Sequence, residues 1–254
     1  MTLDDLPTVR AVPSVTAAQM TEVDRVTIED LQIPVDVLTE NASRQVAVAA
    51  RGLLGGSLAG KRVIGLVGSG NNGGDAAGAL RHLLNWGARI CAEFTGPQDR
   101  LRETTRHQLM RILLATTAET AIVHDASQNG FRDLEADLVI DGFLGYSAHG
   151  APREPIAALI DAANASGVPI LAVDLPSGME PDSGEVHGAA IRARATVTLA
   201  LPKTGLLTPG AHDYVGDLLL ADIAIPHAAF ARVGIDTRRL FEKGDLIRVD
   251  TGDR

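Results

Sequence analysis

Scarcity narrows the reading of this chain first. It holds one cysteine, Cys91, so no disulfide closes within it, and a place inside a strand pattern makes that thiol buried and inert rather than a nucleophile or metal ligand. Aromatic residues are few, with two Tyr, five Phe and one Trp, and the formal charge is −9. Lacking a basic face and stacking platforms, the chain is not expected to bind nucleic acid. No apolar run approaches the ~20 residues of a membrane span, and Met1 to Val12 is polar and acidic where a secretory signal is basic and then apolar. A cytoplasmic location is expected. Nothing resembling a linker, repeat or low-complexity tract divides the 254 residues, which read as one domain, 1–254, with a core at about 14–226 and a loose polar tail from Asp250 to Arg254.

What is present is a regular alternation. Two helical patterns, Thr16 to Asp30 and Val35 to Leu53, are separated by Ile33-Pro34. Strand patterns then fall at Arg62 to Gly68, Arg89 to Phe94, Ala121 to His124, Ala136 to Asp141, Val168 to Asp174, Ala195 to Ala200 and Asp217 to Ile223, the last read as a sheet edge. Helices fit at Ala76 to Trp86, Asp99 to Ala115 and Arg153 to Ala165. The implied fold is α/β, a mainly parallel sheet covered on both faces.

The most informative segment runs from Val63 to Asp75, an apolar strand that breaks into Gly68-Ser69-Gly70-Asn71-Asn72-Gly73-Gly74-Asp75 before a helix. Glycines there let a ligand approach main-chain N–H groups at the positive end of the helix. Taken as a GxGxxG with Glu93 placed 20 residues beyond Gly73, it matches the dinucleotide fingerprint of an NAD-dependent oxidoreductase. Two carboxamides and an acid crowd a turn that such a fingerprint builds mostly from backbone. Asp75 has a second reading, as the cap of a helix beginning at Ala76.

Ligands of open α/β sheets sit outside the carboxyl ends of the strands, and three strand ends here carry oxygen side chains. They are Asn71, Asn72 and Asp75; Asp141-Gly142-Phe143-Leu144-Gly145; and Asp174-Leu175-Pro176-Ser177-Gly178. If the strands are neighbours, Asn72, Asp141 and Ser177 converge. An all-oxygen set suits a hard alkali or alkaline-earth cation rather than zinc or copper, and spacing alone leaves potassium, magnesium or no ion open. Asp174, ending the most apolar strand, is the candidate for proton transfer, with loop capping as its ordinary alternative. Gly145 to Arg153, with Tyr146, Ser147, His149 and Gly150, is a glycine-bounded loop suited to fold over a substrate, where His149 and Arg153 are candidates to bind phosphate.

Together, Gly70-Asn71-Asn72-Gly73-Gly74-Asp75, Asp141 to Gly145, Asp174 to Gly178 with Asp182-Ser183-Gly184, and Pro202-Lys203 resemble the NAD(P)H-hydrate epimerase family, the YjeF N-terminal domain, in its stand-alone form without a dehydratase domain. Ala18-Gln19-Met20, Asp24-Arg25 and Leu38 to Ala42 resemble the family's opening helices. The resemblance implies a Rossmann-like three-layer αβα sandwich with two N-terminal helices. It also implies an isomerase of cofactor repair that interconverts the R and S forms of hydrated NADH and NADPH at C6. By the same resemblance Asn71, Asn72, Gly73, Gly74, Asp75, Gly145, Tyr146, Ser147, Ala148, His149, Gly150, Ala151 and Asp174 bind substrate. Asp174 is catalytic, and Asn72, Asp141 and Ser177 hold a potassium ion. A separate S-specific dehydratase and a homodimer are implied as partners.

The chain departs from the family pattern at Phe94 to Arg100, where some members place a lysine beside the catalytic acid and this sequence has none. Asp174 is then expected to work with water or with reduced activity. Two other functions remain as alternatives at this point. One is a non-catalytic binding or scaffold protein on the same fold, and the other is the oxidoreductase, with Glu93 on a ribose.

Overall fold

The computed structural model describes residues 2–96, 98–116, 120–131 and 135–252. Its strands are β1 (Thr8–Arg10), β2 (Arg62–Val67), β3 (Arg89–Phe94), β4 (Ala121–Asp125), β5 (Leu138–Gly142), β6 (Ile170–Val173), β7 (Ala195–Leu199), β8 (Asp217–Ala221) and β9 (Leu246–Asp250). The helices are α1 (Ala17–Arg25), α2 (Val35–Leu53), α3 (Asn71–Asn85), α4 (Glu103–Ala115), α5 (Ala126–Asn129), α6 (Ile156–Ala165), α7 (His212–Val215) and α8 (His227–Ala231). One sheet runs in the order β1-β9-β8-β7-β6-β5-β2-β3-β4. Every neighbouring pair is parallel except β8 with β9.

The central strands are apolar on both faces because both are covered. Val63 and Val67 pack with Leu80 and Leu83 of α3 and Ile112 of α4, while Ile64 and Leu66 pack with Leu159, Ile160 and Ala163 of α6. The result is the expected Rossmann-like three-layer arrangement. A further cluster of Leu175, Met179, Leu218, Leu220 and Ile247 fills the far end of the sheet.

The opening helices form where the pattern places them. Thr16 and Gln19 make a reciprocal capping box, with Gln19 N donating to Thr16 Oγ1 at 3.1 Å and Thr16 N donating to Gln19 Oε1 at 2.9 Å. The carboxylate of Asp182 accepts from Ala17 N at 2.6 Å, so the Asp182-Ser183-Gly184 segment serves as a second cap. The helix ends in a π turn over Val26–Asp30, and Pro34 precedes α2.

Three expectations need correction. α3 starts at Asn71, five residues before the expected Ala76, so Asp75 lies inside the helix and caps nothing. Gly73 and Gly74 hide this start because they are poor helix formers. Gly73 is nonetheless required, since a Cβ there would lie 2.0 Å from Gly68 O. Next, Asp217–Ala221 is not an edge: β9 pairs antiparallel with it and β1 pairs with β9. Finally, the tail is not loose from Asp250, which ends β9 and forms an ion pair with Arg10 at 2.6 Å. β1 is only three residues long, and β9 places Arg248 and Asp250 among its apolar positions, so neither reads as a buried strand. Residues 253–254 lie outside the described residues, as does position 97 of the stretch where the family's lysine is sought.

From β2 the chain moves outward through β3 and β4, then returns to the other side of β2 as β5. That reversal opens a crevice at the carboxyl ends of β2 and β5.

Candidate active site

A cleft of ≈ 990 Å³, counted out to its open mouth, occupies this crevice. Asn71, Asn72 and Asp75 enter it from α3, Gly145, Tyr146 and Ser147 from the segment after β5, and Asp174 from the end of β6. Lys203 comes from beyond β7 and Asp24 from α1. The segments after β2 and β5 touch so closely that a Cβ on Gly68 would stand 1.9 Å from Phe143 O, which is why only glycine fits there.

Asp174 adopts a left-handed backbone, φ +67°, uncommon outside glycine and typical of strain held at functional sites. Its N donates to Val197 O at 2.7 Å, and Leu199 N donates to its Oδ1 at 3.2 Å. The ammonium of Lys203 donates to the same carboxylate and to Leu199 O at 3.2 Å. Both side chains are nearly excluded from solvent, 6% and 2% exposed. The backbone around Lys203 is fixed by the chain entering α1: Val15 N donates to Pro202 O at 2.9 Å and Thr204 N to Val15 O at 2.9 Å. The expectation that Asp174 lacks a lysine partner is therefore wrong. The partner comes from beyond β7 instead of beyond β3, and spacing along the chain gives no sign of that return.

Tyr146 closes the polar end of the cleft. Its hydroxyl donates to Asp24 Oδ2 at 2.6 Å, and its ring centroid lies 5.5 Å from Lys203 Nζ. Burial raises the Tyr146 hydroxyl, and the Asp24 charge raises it further. Burial also raises the Asp24 carboxyl, against the opposing hydrogen bond from Tyr146. Asp75 is pushed well above the usual carboxylate range, first by burial and then by the charges of Asp174 and Asp24, with Lys203 opposing.

Asn72, Asp141 and Ser177 come together as the strand ends predict. Ser177 donates from N to Asp141 Oδ2 at 2.9 Å and from Oγ to Oδ1 at 2.7 Å, and Phe143 N donates to Oδ1 at 3.3 Å. Leu144 N donates to Ser177 Oγ at 2.9 Å, and Asn72 Nδ2 to Leu144 O at 2.9 Å. Asp141 is wholly buried, and burial pushes its carboxyl up to about 6 despite these donors. Its charge meets neutral donors and no ion-pair partner among the described residues. Carboxylate, hydroxyl and carboxamide oxygens beside an uncompensated buried charge fit a hard monovalent or divalent cation.

Other candidates are placed elsewhere. Gly73 and Gly74 are buried at the start of α3, Gly74 against Thr104 and Thr105, and they shape the turn without lining the cleft. Ala148 and Gly150 border a separate small hollow beside Leu175 and Met179. His149 is exposed and bonds Glu180 at 3.1 Å, while Gly150 N donates to the same carboxylate at 2.5 Å. Ala151 and Arg153 do not line the cleft. Glu93, the expected ribose ligand of an oxidoreductase, is fully buried away from the cleft, 2.6 Å from His124 Nδ1 and accepting from the buried Cys91 thiol at 3.3 Å. The dinucleotide reading of the GxGxxG therefore loses Glu93 as its ribose ligand. Sequence reasoning missed Asp24 and Lys203 as site groups, although both stand in quoted motifs. It also missed the apolar wall of Met20, Leu38 and Ala42, which an amphipathic helix pattern cannot distinguish from core.

The chain is similar to known proteins over most of its length. The family model described as YjeF-related protein N-terminus matches residues 35–205. A relative from Dehalogenimonas lykanthroporepellens, named NAD(P)H-hydrate epimerase, is 38% identical over 247 residues, 96% of each chain. A bifunctional NAD(P)H-hydrate repair enzyme from Pyrobaculum aerophilum is 37% identical over 93% of this chain, which spans 48% of that relative's length. The fold is shared with a crystal structure of the yeast protein ynu0, at TM-score 0.77 and 20% identity, covering 93% of this chain and 100% of that one.

Proposed function

Since the chain belongs to the YjeF-related N-terminal family, we propose that it is an isomerase that interconverts the R and S epimers at C6 of hydrated NADH and NADPH. The observation that carries this reading is the buried Asp174–Lys203 pair at the floor of a cleft built from the family's own segments. At C6 the substrate bears a hydroxyl and a ring nitrogen. Protonating the hydroxyl releases water and leaves a planar iminium to which water returns on either face. Asp174 is the proton-transfer residue at that carbon, held in position by its left-handed backbone and by Lys203.

Asn71, Asn72, Asp75, Gly145, Tyr146 and Ser147 are the cleft groups that bind the hydrated nucleotide, with the glycine turn allowing close approach to main-chain N–H groups of α3. Asn72, Asp141 and Ser177 would hold potassium. Bound there, the ion would supply a positive charge that neutralises Asp141 and steadies the Phe143–Tyr146 segment. Cytoplasmic location, a homodimer and a separate S-specific dehydratase as the functional partner complete the reading. The relative from Pyrobaculum aerophilum is named a bifunctional NAD(P)H-hydrate repair enzyme and is about twice as long as the matched region, and among the described residues no helix is long and apolar enough to cross a membrane. The chain is taken as one unit over 1–254, as strands from both ends join the same sheet.

The test is a coupled assay. An S-specific dehydratase first exhausts the S epimer of NADH hydrate, this protein is added with potassium, and restored NADH is followed by absorbance. Accelerated consumption of the R epimer, lost in Asp174→Asn, is expected. Asparagine tolerates the left-handed backbone, so the variant removes the proton carrier without breaking the turn. A rate equal to the spontaneous one for the wild-type protein refutes the proposal.

A further inference from the structure

Three carboxyl groups line the cleft, Asp24, Asp75 and Asp174, and they differ in what holds them. Asp174 is committed to Lys203 and Leu199 N. Asp75, on the second turn of α3, is 7% exposed and lines the same cleft, yet among the described residues its side chain has no hydrogen bond and no ion pair. A carboxyl buried to that degree is normally satisfied by donors, and leaving one without them costs stability. The cost is explicable where the group must meet a ligand.

Its surroundings favour its neutral form. Toward Asp75 face Asp174 from the end of β6, Asp24 from α1 and Lys203 from beyond β7, two negative groups against one positive. Lys203 is already paired with Asp174, and Asp24 accepts from Tyr146. Burial and the two neighbouring carboxylates all favour the proton-bearing form of Asp75, while Asp174 is held in a buried ion pair with Lys203. An unpartnered carboxyl that favours its proton, beside a carboxylate paired with an ammonium, is the pattern of an acid and a base.

We propose that Asp75 is a second catalytic residue, the general acid of a two-carboxyl epimerisation in which Asp174 is the base. This rests on the epimerase reading. The Asp75 proton passes to the C6 hydroxyl, the C6–O bond breaks with its electron pair leaving in water, and the N1 lone pair forms the C6=N1 iminium. Water then adds on the opposite face, its C6–O bond forming as the C=N pair returns to N1, and it gives its extra proton to Asp174. One proton has moved from Asp75 to Asp174, and exchange with solvent through the open cleft resets the pair. The reverse epimerisation uses the same two groups with roles exchanged.

Asp75→Asn keeps size and polarity but cannot transfer a proton. In the coupled assay its catalysed rate is expected to fall about 100-fold or more, the usual contribution of a positioned acid, with KM within about threefold of wild type. The wild-type rate should decline at alkaline pH as Asp75 loses its proton, and that decline should be missing from the variant's residual rate. Infrared spectroscopy of the substrate-free protein near neutral pH should show a protonated carboxyl band that the variant lacks, and a circular dichroism melt checks folding. An active wild type with an equally active Asp75→Asn variant overturns this assignment alone, as does the absence of the carboxyl band. An inactive wild type overturns the epimerase reading and this assignment with it.

Discussion

Lys203 reaches Asp174 from beyond the neighbouring strand, and the pair they form is almost wholly excluded from water. Removing one member of a buried pair leaves the other charge without compensation, which typically costs about 3–5 kcal/mol. Lys203→Met should therefore lower the free energy of unfolding in urea by that order. Adding Asp174→Asn should restore part of the loss, because the stranded carboxylate is then gone. If the double variant is as unstable as the sum of the two single ones, the pair is not coupled as the geometry requires.

The pH dependence of stability follows from Asp75. Its folded pKa is raised above the unfolded value, so its contribution to stability is complete below the ordinary carboxylate range and is lost as pH rises through the folded value. Asp75→Asn removes that loss. The variant should melt at a higher temperature than wild type at pH 8, and the gap should narrow toward pH 4. A gap that is constant across this range would mean that Asp75 does not carry the proton assigned to it.

Most of the sheet was legible because buried parallel strands such as Arg62–Val67 and Leu138–Gly142 are apolar runs bounded by glycine or polar residues. The ends of the chain were not, because β1 is three residues long and β9 carries Arg248 and Asp250 among its apolar residues, and the two are placed by pairing with β8 and each other. The same division holds at the site. Asn72, Asp141 and Ser177 were legible, since their convergence follows from strand ends being neighbours. Lys203 and Asp24 were not, since their approach depends on how Val15 docks against Pro202 and Thr204 and on where Tyr146 turns after β5. Glu93 shows the opposite failure. Its spacing matched a ribose ligand, but strand alternation turns it toward Cys91 and the opposite face.

Glu93 therefore gives a prediction of its own. Glu93→Gln should leave KM for the hydrated nucleotide unchanged, since the side chain is remote from the cleft. It should lower stability by about 1–3 kcal/mol, the typical penalty for weakening a buried hydrogen-bonded group, because the contact with His124 at 2.6 Å loses its charge. A large rise in KM at unchanged melting temperature would return the GxGxxG to its dinucleotide reading.

Cation binding is testable without turnover. Asp141 is buried with neutral donors around it, so an ion beside it should stabilise the folded chain by mass action. Replacing choline chloride by potassium chloride at equal ionic strength should raise the melting temperature by several degrees, at about 2–4 °C per kcal/mol for a chain of this size. Asp141→Asn should abolish the difference between the two salts. Equal melting temperatures of the wild type in both salts would remove potassium from the site.

The route of epimerisation leaves a mark on oxygen. Loss of the C6 hydroxyl as water and return of another water, the path that suits an acid and a base in one cleft, exchanges the substrate oxygen at every catalysed turnover. The alternative for a carbon bearing both nitrogen and hydroxyl is to break C6–N1, open the ring to an aldehyde and close it on the other face, which keeps the original oxygen. In water enriched in oxygen-18, catalysed conversion of the R epimer should therefore place one label at C6 for each molecule inverted, after subtraction of the spontaneous exchange. Asp75 suits the first path, since an unionised carboxyl can hand a proton to the departing hydroxyl and so release it as water. Inversion without label would therefore count against the general-acid role of Asp75 while leaving the epimerase activity itself in place.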